Sequence, residues 1–214
     1  MKVYFLSGMC VNCKVFDKIE LPTNYEKEYI EWHIPEKKET LEAYTRTMAN
    51  MIDTTQPFML AGYSFGGVIM QEMNKFLHPK KNILISSMKS IEEIPPLFRI
   101  VKKTHIVKYI PKILYTTNKN LSNLFTRLIY HMPMNDIEQC VTYTSPEYMK
   151  WTIYQITQWT PTVKVDNLYH IHGTKDQIFP YKYIRNAFFI EGGDHLMVMK
   201  KAKEVTRILN EIIA

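Results

Sequence analysis

The sequence predicts an α/β fold, a mostly parallel six-stranded sheet with helices on both faces and a helical insertion. Three observations lead there. Short apolar runs of strand length alternate along the chain with segments whose apolar residues recur at helical intervals, the pattern of a sheet wrapped by crossover helices. Between one such run and one such segment lies Gly62-Tyr63-Ser64-Phe65-Gly66, two glycines bracketing a serine at a strand-to-helix junction. Near the C-terminus a short strand followed by a glycine turn occurs twice, ending once in Asp176 and once in His195. The 214 residues, 46% hydrophobic and 13% aromatic, suffice for one substantial core and are few for two, so one domain spanning 1–214 is expected.

Taken in order, Lys2–Leu6 is the first strand and runs into Ser7-Gly8. The same N-terminal stretch superficially resembles a lipoprotein signal ending at Cys10. Its apolar core is too short for that, and Met9 is too large for the residue before a cleavage site. Tyr25–Trp32 is the second strand, and Glu36–Met51 a helix with Leu41, Tyr44, Met48 and Met51 on one side. Gln56-Pro57 ends that helical segment, and Phe58–Gly62 is the third strand. After Gly66-Gly67, the residues Val68, Ile69, Met73, Phe76 and Leu77 recur at helical spacing. Asn82–Ser86 is the fourth strand; Leu168–His172 and Asn186–Glu191 complete the set. Met197–Ile213 closes the chain as one amphipathic helix bearing Val198, Ala202, Val205, Leu209 and Ile212. Between the fourth and fifth strands, about Met88 to Asp166, lies the insertion. It opens at Pro95-Pro96 and reads as mainly helical, with Phe98, Val101, Ile106, Ile110, Ile113 and Leu114 on an apolar face. No internal repeat or low-complexity linker interrupts this order.

The pentapeptide has the layout of a nucleophile elbow. A turn sharp enough to push a serine hydroxyl into the open brings flanking backbone so close that a Cβ at either glycine would clash. A serine hydroxyl is a poor nucleophile at neutral pH and needs a base that is itself oriented by a third group. Asp176 and His195 supply both in the chain order Ser64, Asp176, His195. Asp194 neighbours His195, but sequence neighbours on a loop rarely point at each other; Asp166 precedes its strand and so sits at the wrong edge of a parallel sheet. Glu191 ends a strand and is a poor substitute acid. His33, His78, His105 and His131 lack a matching acid or glycine turn, whereas His170 and His172 lie in the strand leading to Asp176 and read as structural, His172 close behind the site.

On Gly62-Tyr63-Ser64-Phe65-Gly66-Gly67, His172-Gly173-Thr174-Lys175-Asp176 and Gly192-Gly193-Asp194-His195, the chain resembles the α/β-hydrolase superfamily, particularly its small bacterial members. The resemblance extends over nearly the whole chain and implies a compact form of that fold lacking the first two strands, with the 88–166 insertion as a cap. It implies Ser64 as nucleophile, His195 as general base and then acid, and Asp176 as the group orienting the imidazole. It further implies that Lys2–Leu6 leads into the oxyanion loop, where the backbone amide of Met9 would pair with that of Phe65. Most relatives carry a His-Gly pair in that loop; this chain has Ser7-Gly8.

The expected activity is cleavage of a small-molecule carboxylic ester or thioester through an acyl-enzyme, with no metal or organic cofactor. Lyases, carbon–carbon bond hydrolases and slow ligand-binding proteins share the fold and stay open as alternatives. Eight Lys or Arg against three Asp or Glu between Pro95 and Trp151 concentrate most of the chain's +6 charge in the insertion. Either this is a solvated helix face, or it attracts an anionic substrate or an acidic carrier. No recognised module accompanies the charge, so nucleic acid is not expected. No run of about 18 apolar residues is present, so no stable membrane insertion is expected. Three cysteines are no disulfide framework and fit a reducing, cytoplasmic compartment. Cys10-Val11-Asn12-Cys13 matches a redox or metal spacing without the further ligands or helix such roles need, and both thiols are expected to line the mouth of the oxyanion loop. Oligomeric state is left open.

Overall fold

In a computed structural model, which describes residues 1–111 and 139–214, six strands form one sheet in the order β2-β1-β3-β4-β5-β6. They are β1 (Lys2–Leu6), β2 (Glu26–Ile30), β3 (Phe58–Tyr63), β4 (Asn82–Ile85), β5 (Leu168–Gly173) and β6 (Phe188–Ile190). Every neighbouring pair is parallel. The register aligns Leu6 with Gly62, Tyr63 with Ile85, Ile85 with Ile171, and Gly173 with Ile190, so the loops after these strands leave from one edge. Strand order reverses at β1 and β3. In open parallel sheets that reversal opens a crevice beyond the strand ends, and Ser7-Gly8 and Ser64 stand on its two sides.

The period of two along the strands divides the core. Val3 and Phe5 of β1, Ala61 of β3 and Ile83 and Ile85 of β4 face one layer; Tyr4, Leu6, Leu60 and Leu84 face the other. The first layer is closed by the C-terminal helices through Val198, Val205, Leu209 and Ile212. The second is closed by α1 (Leu41–Ala49) and α2 (Phe65–Met73), and every residue of α2 is buried.

The second strand is shorter than the expected Tyr25–Trp32, the third to fifth shift by one residue at their ends, and three elements differ more. The first helix begins at Leu41 rather than Glu36 because Thr40 caps it, its hydroxyl accepting from the Ala43 amide at 3.1 Å, and it ends at Ala49, which leaves Met51 exposed. The final helix is two: a short α6 (Met197–Lys200) and α7 (Ala202–Ile213), separated at Lys201 with φ −123° and ψ 37°. Both pieces still present their apolar residues to the same core layer, which is why the stripe reads as continuous. β6 is only Phe188–Ile190, an edge strand with both phenylalanines half exposed.

Of the insertion, the structure describes α3 (Pro96–Thr104), α4 (Ile106–Tyr109) and α5 (Pro146–Gln158), the last capped by Ser145, whose hydroxyl accepts from the Tyr148 amide. Lys102 Nζ donates to the Trp159 carbonyl at 2.8 Å, tying α3 to the end of α5. Trp159 Nε1 donates to Glu72 Oε1 at 2.9 Å, tying that end to α2. Ile113, Leu114 and His131 lie outside the described residues.

Candidate active site

Ser64 sits between β3 and α2 with φ 52° and ψ −118°, a backbone state that L-residues rarely adopt. Three hydrogen bonds hold it there. Its amide donates to the Ile85 carbonyl at 3.0 Å, and its own carbonyl accepts from Ser87 Oγ at 2.7 Å and from the Gly67 amide at 3.0 Å. The two glycines are needed for space: a Cβ on Gly62 would lie 2.5 Å from the Gly66 carbonyl oxygen, and one on Gly66 would lie 2.3 Å from the carbonyl oxygens of Leu6 and Ser7.

Two further loops meet in front of this turn. After β5, the Lys175 amide donates to the Gly193 carbonyl at 2.8 Å and the Thr174 amide to the Ile190 carbonyl at 3.1 Å; Thr174 Oγ1 accepts from the Gly192 amide at 2.8 Å. Zipped in this way, the loops bring their side chains together. His195 Nδ1 stands 2.9 Å from Asp176 Oδ2, and His195 Nε2 stands 3.0 Å from Ser64 Oγ. An ionised carboxylate can only accept, so Nδ1 carries the hydrogen and Nε2 is the acceptor for the serine hydroxyl. All three residues are buried, Ser64 keeping 7% of its surface exposed. Rings of Tyr63 and Phe179 flank the imidazole, with centroids at 5.5 and 5.7 Å.

Asp176 Oδ1 accepts two backbone amides, Ile178 and Phe179, each at 2.9 Å. Burial pushes its pKa up, but the opposing pull of His195, then of His172 and the Phe179 amide, wins and holds the carboxyl below the usual carboxylate range.

Gly8 packs beside the elbow: a Cβ there would meet Tyr63 Cε1 at 2.9 Å and Ser64 Cβ at 3.3 Å. The segment is clamped from both sides. The Gly8 carbonyl accepts from Trp32 Nε1 at 3.0 Å, and Ser7 Oγ donates to the Val11 carbonyl at 2.6 Å. The Cys10 carbonyl accepts from the Thr142 amide at 3.0 Å and from Tyr143 at 3.3 Å. Met9 lies between these anchors. Phe65 is the first residue of α2, so its amide has no carbonyl one turn back within the helix to donate to. Its ring stacks obliquely on Trp32 at 5.5 Å and meets Trp151 edge-on at 6.2 Å.

Trp151 also lines an open cavity of about 590 Å³ with Pro35, Tyr154, four lysines (Lys37, Lys38, Lys108 and Lys150) and two acids, Glu36 and Glu147. Lys150 Nζ is committed to the carbonyls of Lys108 and Ile110. Of the other aromatic residues of the insertion, Trp159 is buried against Glu72, and Tyr143 donates to Glu31 Oε2 at 3.1 Å.

No protein-family model matches the chain, and no curated protein sequence matches it significantly. Solved structures do. The lipase-esterase related protein from Clostridium acetobutylicum superposes with a TM-score of 0.68 at 17% identity, covering 99% of this chain and 93% of that one. MenH from S. aureus gives 0.75 at 16% identity, over 100% and 93%. An alpha/beta hydrolase fold protein from Burkholderia ambifaria gives 0.70 at 11% identity, over 98% and 90%. The chain has the α/β-hydrolase fold.

Within this fold, the other acids expected from the sequence as poor candidates stand apart from His195 Nδ1. Asp194 accepts the Leu196 amide through Oδ1 at 3.0 Å and pairs with Lys200 through Oδ2. Asp166 is at the opposite end of β5, its carbonyl accepting from Asn82 Nδ2. Glu191 is exposed after β6. His33 stacks on Tyr44 at 4.0 Å, and His78 and His105 are exposed.

The cysteine expectation needs correction. Cys10 packs into the α1–α2 core layer, whereas Cys13 is fully buried in the opposite layer, its Sγ 3.5 Å from the carbonyl oxygens of Phe5 and Ile30. The positive φ of Cys10, 66°, and the 3₁₀ turn Cys13–Phe16 capped by Asn12 turn the two thiols apart, so they do not jointly line the loop's mouth. Burial pushes both thiols up to about 12, and all three cysteines are free. Among the described residues, no group of three His, Cys, Asp or Glu is placed to hold a metal, and no helix is long and apolar enough to cross a membrane.

Sequence reading missed Phe179, Ser87 and Trp32. Only Phe179 carried a signal: it follows Asp176 by three residues, where an aspartate's own carboxylate often accepts the backbone.

Proposed function

We propose that this protein is a serine hydrolase that cleaves a carboxylic ester or thioester through an acyl-enzyme on Ser64, with His195 as the base and Asp176 as its orienting acid. The observation that carries the reading is the pair of contacts of one imidazole, 3.0 Å to Ser64 Oγ and 2.9 Å to Asp176 Oδ2. As Ser64 attacks the substrate carbonyl, its proton passes to His195 Nε2, and the imidazolium forms against a carboxylate already held ionised. The backbone amides of Met9 and Phe65 meet the developing oxyanion; backbone donors suffice for this, so Ser7 in place of the histidine usual in the resembling family leaves the task intact. Collapse expels the alcohol or thiol, which takes the proton from His195. Water, deprotonated by the same nitrogen, then releases the acid.

The insertion, residues 88–166 of a single 1–214 domain, acts as a cap. The cavity walled by Trp151 and Tyr154, where four lysines outnumber Glu36 and Glu147, favours substrates with an apolar body and an anionic end. Three free, unreactive cysteines fit a reducing, cytoplasmic setting.

Intact-mass spectrometry after exposure to a fluorophosphonate, together with p-nitrophenyl acetate turnover, tests the reading. One adduct on the wild type, absent from Ser64→Ala along with turnover, is expected. Turnover that survives in Ser64→Ala would end it.

A further inference from the structure

Phe179 is gripped at three points. Its amide donates to Asp176 Oδ1 at 2.9 Å, its carbonyl faces His172 Nε2 at 2.8 Å, and its ring lies 5.7 Å from that of His195. We propose that His172 is a positioning residue of the Ser64–His195–Asp176 site, acting through Phe179. The inference rests on the hydrolytic reading of that site.

A carbonyl oxygen only accepts, so His172 Nε2 must carry its hydrogen, which fixes the neutral tautomer with Nδ1 bare. His172 is itself immobile: it is fully buried in β5, in register with Phe189 of β6, and precedes Asp176 by four residues. The strand thus reaches over its own following turn and holds the far end of it. With the Phe179 carbonyl pinned, the Phe179 amide stays aimed at Asp176 Oδ1, and Oδ2 is left to His195. The hydrogen on Nε2 lies within 3.7 Å, nitrogen to oxygen, of Asp176 Oδ2, too far for a second bond but close enough to favour the carboxylate. The charged and titratable groups acting on His172 are Asp176, His195 and Lys89, and the His170 ring lies 5.1 Å away. Burial, more than any of these, holds the pKa of His172 down, so that it stays an uncharged donor while His195 cycles.

Removing the donor leaves the Phe179 carbonyl buried without its partner and frees the 176–179 turn to drift. The experiment compares His172→Phe, His172→Asn and His172→Gln with the wild type in kcat, KM and the pH dependence of kcat/KM, and repeats His172→Phe on an Asp176→Asn background. The Gln amide reaches as far as Nε2, and the Asn amide does not. Expected is a fall in kcat of roughly ten- to a hundredfold for Phe and Asn, the scale typical of supporting hydrogen bonds, with KM within about twofold and kcat regained in Gln. The acid limb of kcat/KM should move to lower pH in Phe and Asn, because a drifting carboxylate stabilises the His195 imidazolium less. On Asp176→Asn, the same Phe substitution should cost nothing more. Wild-type kcat and acid limb in His172→Phe, or equal loss in Gln and Asn, or full additivity with Asp176→Asn, would each overturn the proposal. If His172→Phe does not fold, the Gln–Asn comparison decides alone. A wild type that neither labels nor turns over would remove the hydrolytic reading and this inference with it.

Discussion

Gly173 and Gly193 touch backbone to backbone: a Cβ on Gly173 would lie 2.2 Å from the Gly193 carbonyl oxygen. That contact closes the two loops that bear Asp176 and His195, and the nearest atoms such a Cβ would meet are all Gly193 backbone. Gly173→Ala should therefore separate the loops. We expect a loss of about 1–3 kcal/mol, as for overpacked sites, and a fall in kcat beyond tenfold with KM little changed. Thermal unfolding beside ester kinetics checks both; wild-type kcat in a folded Gly173→Ala would show that the contact does not align the site.

Ser64 stores strain in its backbone. Ser64→Ala and Ser64→Gly should both lose several orders of magnitude in turnover. Only Gly relieves the φ of 52°, so it should be more stable than Ala by about 1 kcal/mol. Differential scanning calorimetry of the two variants reads this directly, and an Ala variant as stable as Gly would mean that the turn is unstrained.

His170 is fully enclosed, and burial first, then His172 and Lys89, hold its pKa well below 6.5 against the opposing pull of the Ser87 backbone. The unfolded chain takes up a proton near pH 6.5 and the folded one does not, so stability is intact above that pH and falls as pH drops below it. Each such histidine contributes a slope of up to about 1.4 kcal/mol per pH unit until its folded pKa is reached. Urea unfolding at pH 7.5 and 5.5 should show this loss, and His170→Leu should remove part of it. An unchanged pH slope in the variant would refute the assignment.

The lysine-rimmed cavity beside Trp151 predicts discrimination by charge. Lys37→Glu with Lys108→Glu, both exposed and on its rim, should raise KM for an anionic ester roughly tenfold at low salt, while a neutral ester of matched leaving group stays within about twofold. Steady-state kinetics across an ionic-strength series checks it. A kcat/KM independent of salt for both esters would sink the idea.

Much of the fold and of the site was legible because its signals are local. Apart from the charged edge strand Glu26–Ile30, the strands are largely apolar runs, and the loops bearing Ser64, Asp176 and His195 contain glycine turns at the one edge where parallel strands deliver them. Bounds were less legible. Thr40 capped a helix later than periodicity suggested, and the step at Lys201 left the apolar stripe undisturbed and therefore invisible.

The sequence by itself determined the parallel sheet, the strained turn at Ser64 and the chain order of Ser64, Asp176 and His195, because spacing and glycine placement act over a few residues. Only the tertiary structure decided that Cys10 and Cys13 part to opposite core layers, and that His172 holds the Phe179 carbonyl. It also decided that one imidazole bridges Ser64 and Asp176. Those relations join positions on different strands and loops, and their distances follow from how the sheet stacks its edge, which no local pattern records.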